Sequence, residues 1–158
     1  LISEKDYNNL DFKKITEMFL VKELFKVITN EQSITSKEDK KKANEEAVKK
    51  LLAPLKIRDE LFNLYVEACA LETKEAKFVQ SVSKLESDLQ AKKYELQGHF
   101  TLEAAKNDVA NFPTELKEEI LPQMEQASDG WILFDRKYYA GDETFIDLSK
   151  DVQNTKSL

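Results

Sequence analysis

The sequence of 158 residues is poor in the residues on which small catalytic and metal sites most often depend. It has one cysteine, one histidine, three glycines and three prolines. The single cysteine, Cys69, excludes an intrachain disulfide and a thiolate zinc cluster. Its neighbours in YVEACAL predict a small buried hydrophobic residue, and a chain without disulfides fits a reducing compartment, which we expect to be the cytoplasm. Three glycines do not allow a phosphate-binding loop or a dinucleotide fingerprint to be written.

The only histidine, His99, lies in the segment QGHF between two predicted helices. This position favours a capping or packing role over metal ligation, because a metal needs several suitable ligands brought together by the fold. A Ser/His/Asp triad would require His99, and nothing near it in the sequence supports that assignment.

Long hydrophobic runs are also missing. No apolar stretch approaches the roughly 20 residues of a membrane-spanning helix, and no signal peptide is present at the start. The net charge of −6 comes from 24 basic and 30 acidic residues that are well mixed along the chain. Even the lysine-rich segment KEDKKK lacks interleaved aromatic residues and is typical of a solvated helix face. We therefore expect neither a membrane nor a nucleic acid as partner.

Helical periodicity, by contrast, recurs along the chain, and no segment alternates in the manner of a strand. The pattern predicts an all-α fold with helices near residues 10–28, 36–54, 57–71, 74–97, 102–112, 115–140 and 142–152. Segment 115–140 is either one long helix or two pieces around Gly130. The length predicts a single domain over residues 1–150, followed by a polar tail over residues 151–158.

Two predicted helices carry clear apolar patterns. The third has residues at core spacing, namely Leu61, Leu64, Tyr65, Ala68 and Cys69, and the fourth has one apolar stripe, namely Phe78, Val82, Leu85 and Leu89. The first helix is less simple, because FLVKELFKVI places Lys22, Glu23 and Lys26 within an arc of roughly 100° that also holds apolar side chains. Such an arc is either a stripe of lysines whose stems lie along apolar surface or the remains of a site.

Three segments resemble the HD-domain metal phosphohydrolases, and within them the 5'-deoxynucleotidase-like branch. They are LVKELFKVI, KEAKFVQSVSKLESDLQAKKYE and EQASDGWILFDRKYY. The resemblance implies an HD-domain-like helical bundle, a divalent transition metal such as Mn, Co or Fe, nucleoside 5'-monophosphates as substrates, and homodimers. For the dimer, the aromatic residues near the C-terminus are candidates, although their spacing is also that of ordinary core packing: Trp131, Phe134, Tyr138 and Tyr139.

The residues that perform the family's chemistry are replaced in this sequence. By the resemblance, Lys22 stands at the motif histidine, Glu23 at its aspartate and Ser83 at the downstream metal-binding aspartate. Lys26 replaces the motif glutamate, and Glu31 stands where the branch has a further aspartate. The family's earlier histidine has no counterpart, so we expect the family's N-terminal helix to be missing.

These replacements change what the site can bind. An ammonium has neither a lone pair nor a negative charge at neutral pH, so Lys22 would oppose a dication. Lys22 is expected instead to pair with Glu23, with Glu31 or with a bound phosphate. We therefore predict no catalytic, cofactor-binding or metal-binding residues and no cofactor.

Three functions follow from the resemblance. The first is a degenerate HD-domain protein that acts as a binding, regulatory or scaffolding domain. The second is an active, metal-dependent phosphohydrolase that uses a rearranged site with Glu23 and Glu31. The third is a sensor that binds a nucleotide or phosphate ligand without turning it over.

Overall fold

The computed structural model describes residues 9–26, 37–139 and 141–157, and of residues 24–26 and 37–40 it describes the backbone only. Over these ranges the chain forms α-helices and two short 3-10 turns, at 121–123 and 137–139, without a strand, which confirms the predicted all-α class. The α-helices are α1 (Phe12–Lys26), α2 (Lys37–Leu52), α3 (Arg58–Ala70), α4 (Lys74–Leu96), α5 (Leu102–Ala110), α6 (Thr114–Ile120), α7 (Asp129–Arg136) and α8 (Glu143–Asn154).

The chain divides into two compact units, residues 1–80 and residues 81–158, and α4 contributes to both. None of the helices in the described ranges combines the length and the apolar character that a membrane crossing requires.

In the first unit, α1, α2, α3 and the beginning of α4 enclose two groups of buried side chains. One group consists of Val21, Val48, Leu52 and Tyr65, and the other of Ile15, Met18, Ala68 and Val79. Two local caps fix the helix starts: the Asp11 carboxylate accepts a hydrogen bond from the Lys14 amide (3.0 Å), and the Thr73 hydroxyl accepts one from the Ala76 amide (3.3 Å).

Cys69 lies on the exposed side of α3, so the prediction that it is buried was wrong. The neighbouring residue Ala68 is fully buried, and Tyr65 is 4% exposed. Successive residues of a helix point in directions 100° apart, so Cys69 faces solvent although the residues beside it in the sequence are apolar.

In the second unit, α5, the segment from α6 to Met124, and α7 surround a compact apolar group whose buried members are Ala105, Val109, Ile120, Met124 and Ala127. Gly130 in the first turn of α7 allows the close approach. A Cβ atom at this position would lie 3.0 Å from Val109 Cγ2 and 3.3 Å from Met124 Cε.

The segment predicted as one helix or two over 115–140 is two α-helices, but they are not divided at Gly130. Helix α6 ends at Ile120, a 3-10 turn with Pro122 follows, and α7 begins only at Asp129. The Asp129 carboxylate accepts hydrogen bonds from the amides of Glu125 (2.8 Å) and Gln126 (2.7 Å), which holds the intervening loop in place.

The C-terminal end of α4 also shows local capping. Helix α4 ends at Leu96, and Gly98 two residues later is left-handed (φ +73°). The Gly98 amide donates a hydrogen bond to the Glu95 carbonyl, and the His99 amide donates one to the Tyr94 carbonyl. The His99 ring is exposed and packs edge-on against Tyr94 (ring centroids 5.5 Å apart), which agrees with the predicted capping or packing role.

Helix α8 extends to Asn154, four residues into the segment predicted as a polar tail, and Val152 within it is buried.

Candidate functional site

Lys22 on α1 is half-buried at the edge of the helix face that packs into the first unit. Its ammonium donates a hydrogen bond of 2.7 Å to the Oε1 atom of Gln80, near the middle of α4. On the same helix Val21 and Met18 are buried. Lys22 therefore combines a stem that lies beside apolar side chains with a head that is used in a contact between helices.

The other positions that the sequence predicted are only partly described. Glu23 is half-buried on α1. Lys26 is the last residue of α1, and its side chain lies outside the described residues, as does the whole of Glu31. The predicted pairing of Lys22 with Glu31 falls outside them for the same reason.

Ser83 belongs to the part of α4 that lies in the second unit. It is buried, and its hydroxyl has no hydrogen-bond partner among the described residues, although its carbonyl accepts a bond of 3.1 Å from the Ser87 hydroxyl. A neutral hydroxyl at this position is a weaker donor for a hard dication than the carboxylate it stands for in the resemblance.

The three described candidate positions thus supply one ammonium, one carboxylate and one neutral hydroxyl. Divalent transition metals prefer imidazole and carboxylate ligands in proteins. Of the three side chains, the Glu23 carboxylate is of a preferred type, whereas the Lys22 ammonium and the Ser83 hydroxyl are not. Within the described ranges, histidine, cysteine, aspartate and glutamate side chains do not cluster in groups of three or more that would suit a metal.

A second polar group in the first unit joins the starts of α1 and α4. Glu67 accepts an ion-paired hydrogen bond from Lys14 (2.6 Å) and a hydrogen bond from the Thr73 hydroxyl (2.8 Å). The hydrogen bond from Lys14 lowers the pKa of Glu67, and the same bond raises the pKa of Lys14. Glu75 is buried nearby and accepts a hydrogen bond from the Asp11 amide (3.3 Å). It is the first residue of EAKFV, a part of the second segment that resembles the family, so this segment has a structural role in the first unit.

The second unit contains a buried polar cluster that the sequence did not predict. Asp88 on α4 is fully buried, and its Oδ2 atom accepts a hydrogen bond of 2.6 Å from the Tyr139 hydroxyl. Asp135 on α7 is buried as well, and its Oδ1 atom lies 2.9 Å from the Lys84 ammonium. Burial raises the pKa of Asp88 to about 7, and it also raises the pKa of Asp135 and of the Tyr139 hydroxyl.

Another buried group lies toward the C-terminal end of α4. The Lys92 ammonium, fully buried, donates to Glu95 Oε1 (2.7 Å) and Gln126 Oε1 (2.6 Å). The other Glu95 oxygen accepts a bond of 2.6 Å from the Ser128 amide. These bonds pair the Lys92 ammonium and both Glu95 oxygens within the unit, which is typical of a structural cluster.

A pocket of about 270 Å³ opens on the second unit, lined by Leu116, Glu119, Ile120, Gln123, Leu133, Phe134, Arg136 and Lys137. The two positively charged side chains in this lining, Arg136 and Lys137, both make contacts within the unit. Arg136 donates to Gln153 Oε1 (2.7 Å), and the Lys137 ammonium lies 3.6 Å from the centroid of the Phe134 ring.

The aromatic residues predicted as interface candidates divide between core and surface. Tyr139 is 1% exposed and belongs to the core, and Phe134 is half-buried in ring contacts with Phe112 and Tyr138. Trp131 is 55% and Tyr138 38% exposed. Two of the four candidates therefore present substantial ring surface to solvent.

The chain matches a family model described as an HD domain over residues 1–125 of the 158. No curated protein and no solved structure matches the chain.

Proposed function

Because the chain belongs to the HD-domain family, we propose that it is a degenerate member related to the 5'-deoxynucleotidase-like branch, which lacks metal-dependent hydrolysis and acts as a binding or scaffolding domain. The observation that carries this proposal is the hydrogen bond of the Lys22 ammonium to Gln80, at the position where the resemblance places a metal-binding histidine.

The contact gives Lys22 a use that a histidine ligand would not have. An HD site needs a nitrogen lone pair directed at a dication, which then polarises phosphate and activates water. At Lys22 a positive charge lies within hydrogen-bond distance of the Gln80 side chain. A positive charge in this place supports helix packing and opposes the approach of a second cation.

Ser83 supports the same proposal from the second unit. Its hydroxyl is buried without a hydrogen-bond partner among the described residues, and it carries no charge to attract a metal. The two substitutions, histidine to lysine and aspartate to serine, both remove negative charge or lone pairs from the ligand set that the resemblance implies.

The role that remains is binding. We propose a nucleotide or inorganic phosphate as the ligand class, held through a lysine charge rather than through a metal. We further propose that the chain pairs as a homodimer, which its exposed Trp131 and Tyr138 favour.

A phosphate-release assay tests the loss of hydrolysis. The purified chain is incubated with deoxynucleoside 5'-monophosphates in the presence of Mn²⁺, Co²⁺ or Fe²⁺, each in turn, beside the chain without added metal. The expected result is a rate equal to the background in every mixture. Metal-dependent release that a Glu23→Ala variant abolishes would overturn the proposal and establish the second function, an active phosphohydrolase.

A further inference from the structure

Asp88 is a buried acid whose two oxygens are unequally satisfied. Its side chain is 0% exposed, and Oδ2 accepts the hydrogen bond of 2.6 Å from the Tyr139 hydroxyl. Oδ1 is also buried and has no hydrogen-bond partner in the part of the chain that is described. A carboxylate with one donor in such surroundings is poorly stabilised, whereas the protonated acid is neutral.

The charged groups that face Asp88 do not neutralise it directly. Lys84 lies one turn before it on α4 and gives its ammonium to Asp135 at 2.9 Å. Arg136 on α7 donates to Gln153 Oε1 at 2.7 Å and to the Ser149 hydroxyl at 3.4 Å. The remaining neighbour, Asp135, is itself an acid and raises the pKa of Asp88 further, in addition to the larger effect of burial.

Tyr139 connects Asp88 to helix α8. It closes the 3-10 turn between α7 and α8, and its ring stacks on Phe145 in the first turn of α8, with centroids 5.7 Å apart and planes 17° apart. Both rings are 1% exposed. A change in the bond between Asp88 and Tyr139 therefore reaches α8 through a packed aromatic pair.

We propose that Asp88, Tyr139 and Phe145 form a proton-dependent latch, which holds α8 firmly in place when Asp88 carries a proton and loosens when the proton is lost. The protonated acid completes a neutral buried contact with the tyrosine. The ionised acid carries a buried charge that water stabilises better than the protein does, so local opening of the segment from Tyr139 onward becomes more favourable.

Two measurements on the full chain test the latch. Carbon-13 NMR of the side-chain carboxyls follows the titration of Asp88 directly, and amide hydrogen exchange follows the opening of α8. We expect Asp88 to titrate near neutral pH, and the protection factors of the α8 amides to fall at least tenfold between about pH 6 and about pH 8. Titration of Asp88 below pH 5, or α8 protection that does not change over this range, would overturn the proposal.

Variants separate the latch from general effects of pH. Asp88→Asn keeps the shape of the protonated acid and should make α8 protection independent of pH, whereas the matched Asp108→Asn change at an exposed acid of α5 should leave the wild-type dependence intact. A wild-type dependence in the Asp88→Asn chain would contradict the latch.

Tyr139→Phe covers the case in which Asp88→Asn does not fold. This change retains the ring stack on Phe145 and removes the donor that stabilises the ionised acid, so the titration midpoint of Asp88 should move to higher pH. An unchanged midpoint would show that the hydroxyl does not act on Asp88 and would overturn the latch.

Discussion

The ammonium of Lys22 on α1 and the Oε1 atom of Gln80 on α4 lie 2.7 Å apart, so this lysine joins two helices of the first unit. Replacing the lysine by methionine keeps most of the apolar stem and removes the donor. We expect Lys22→Met to lower the free energy of unfolding by about 1 kcal/mol, the usual contribution of one such hydrogen bond. Urea denaturation measures this difference.

Lys13→Met is the matched control, because the Lys13 side chain is 83% exposed and pairs with Glu17 on the same helix. Its cost should be a few tenths of a kcal/mol. Equal effects of the two changes would show that the contact with Gln80 contributes nothing specific.

The ion pair of Lys84 and Asp135 should respond strongly to loss of its cation. The Asp135 side chain is 3% exposed, so Lys84→Met leaves a buried carboxyl without its ion partner, at a cost of roughly 2 to 4 kcal/mol. Lys150→Met removes the cation of an exposed pair with Asp147 at the same distance, 2.9 Å, and should cost under about 1 kcal/mol. Thermal unfolding of both variants distinguishes them, and a Lys84 variant as stable as the Lys150 variant would contradict the burial argument.

Gly130 should not tolerate a side chain. In Gly130→Ala the new methyl group would meet Val109 Cγ2 at 3.0 Å, so we expect a net loss of about 1 to 2 kcal/mol, despite the better helix propensity of alanine. Combining it with Val109→Ala removes the near contact, and the added cost of Gly130→Ala should then become smaller. A cost that is the same in both backgrounds, measured by chemical denaturation, would rule out this contact as the cause.

Global stability should depend on pH through Asp88. Its pKa rises from an ordinary 3.8 to about 7 in the folded chain, so between these values the folded state binds more protons than the unfolded state. Stability from this group is therefore lost as the pH increases from about 4 to about 7, by at most roughly 4 kcal/mol. The difference in unfolding free energy between wild type and Asp88→Asn, measured across this range, isolates the effect. A difference that is constant with pH would refute it.

The helical class and most helix positions could be predicted from the sequence, because residues such as Val21, Tyr65 and Val109 follow the 3.6-residue period of faces that are buried in each unit. The end of α4 and the cap at Gly98 were also accessible, since a glycine after a periodic run is a common helix stop. These features depend on local sequence.

The burial pattern of α4 could not be predicted in the same way. Its apolar stripe is only half-buried at Phe78, Val82 and Leu85, and Leu89 is 40% exposed. The fully buried positions on the same helix include Asp88, which is bonded by Tyr139, and Lys92, which donates to Gln126. Polar residues like these are buried together with hydrogen-bond partners that are distant in the sequence, and the hydrophobic periodicity of one helix does not indicate such partners.

The site was predicted from family resemblance, and family membership itself is confirmed by the match over residues 1–125. The sequence around Lys22 did not indicate Gln80 as its hydrogen-bond partner, since the two residues are 58 positions apart. The sequence signal that was available is the lysine itself, because an ammonium on a mostly apolar helix face needs a hydrogen-bond acceptor or water.

Metal content tests the proposed loss of the family's metal site most directly. The purified chain and a variant with Lys22→His, Glu23→Asp and Ser83→Asp are dialysed against Mn²⁺ and then against metal-free buffer, and bound metal is determined by elemental mass spectrometry. Circular dichroism confirms that both chains are folded. We predict well under one metal ion per wild-type chain and a higher content in the variant. One Mn²⁺ per wild-type chain would contradict the proposal that this HD domain has lost its metal site.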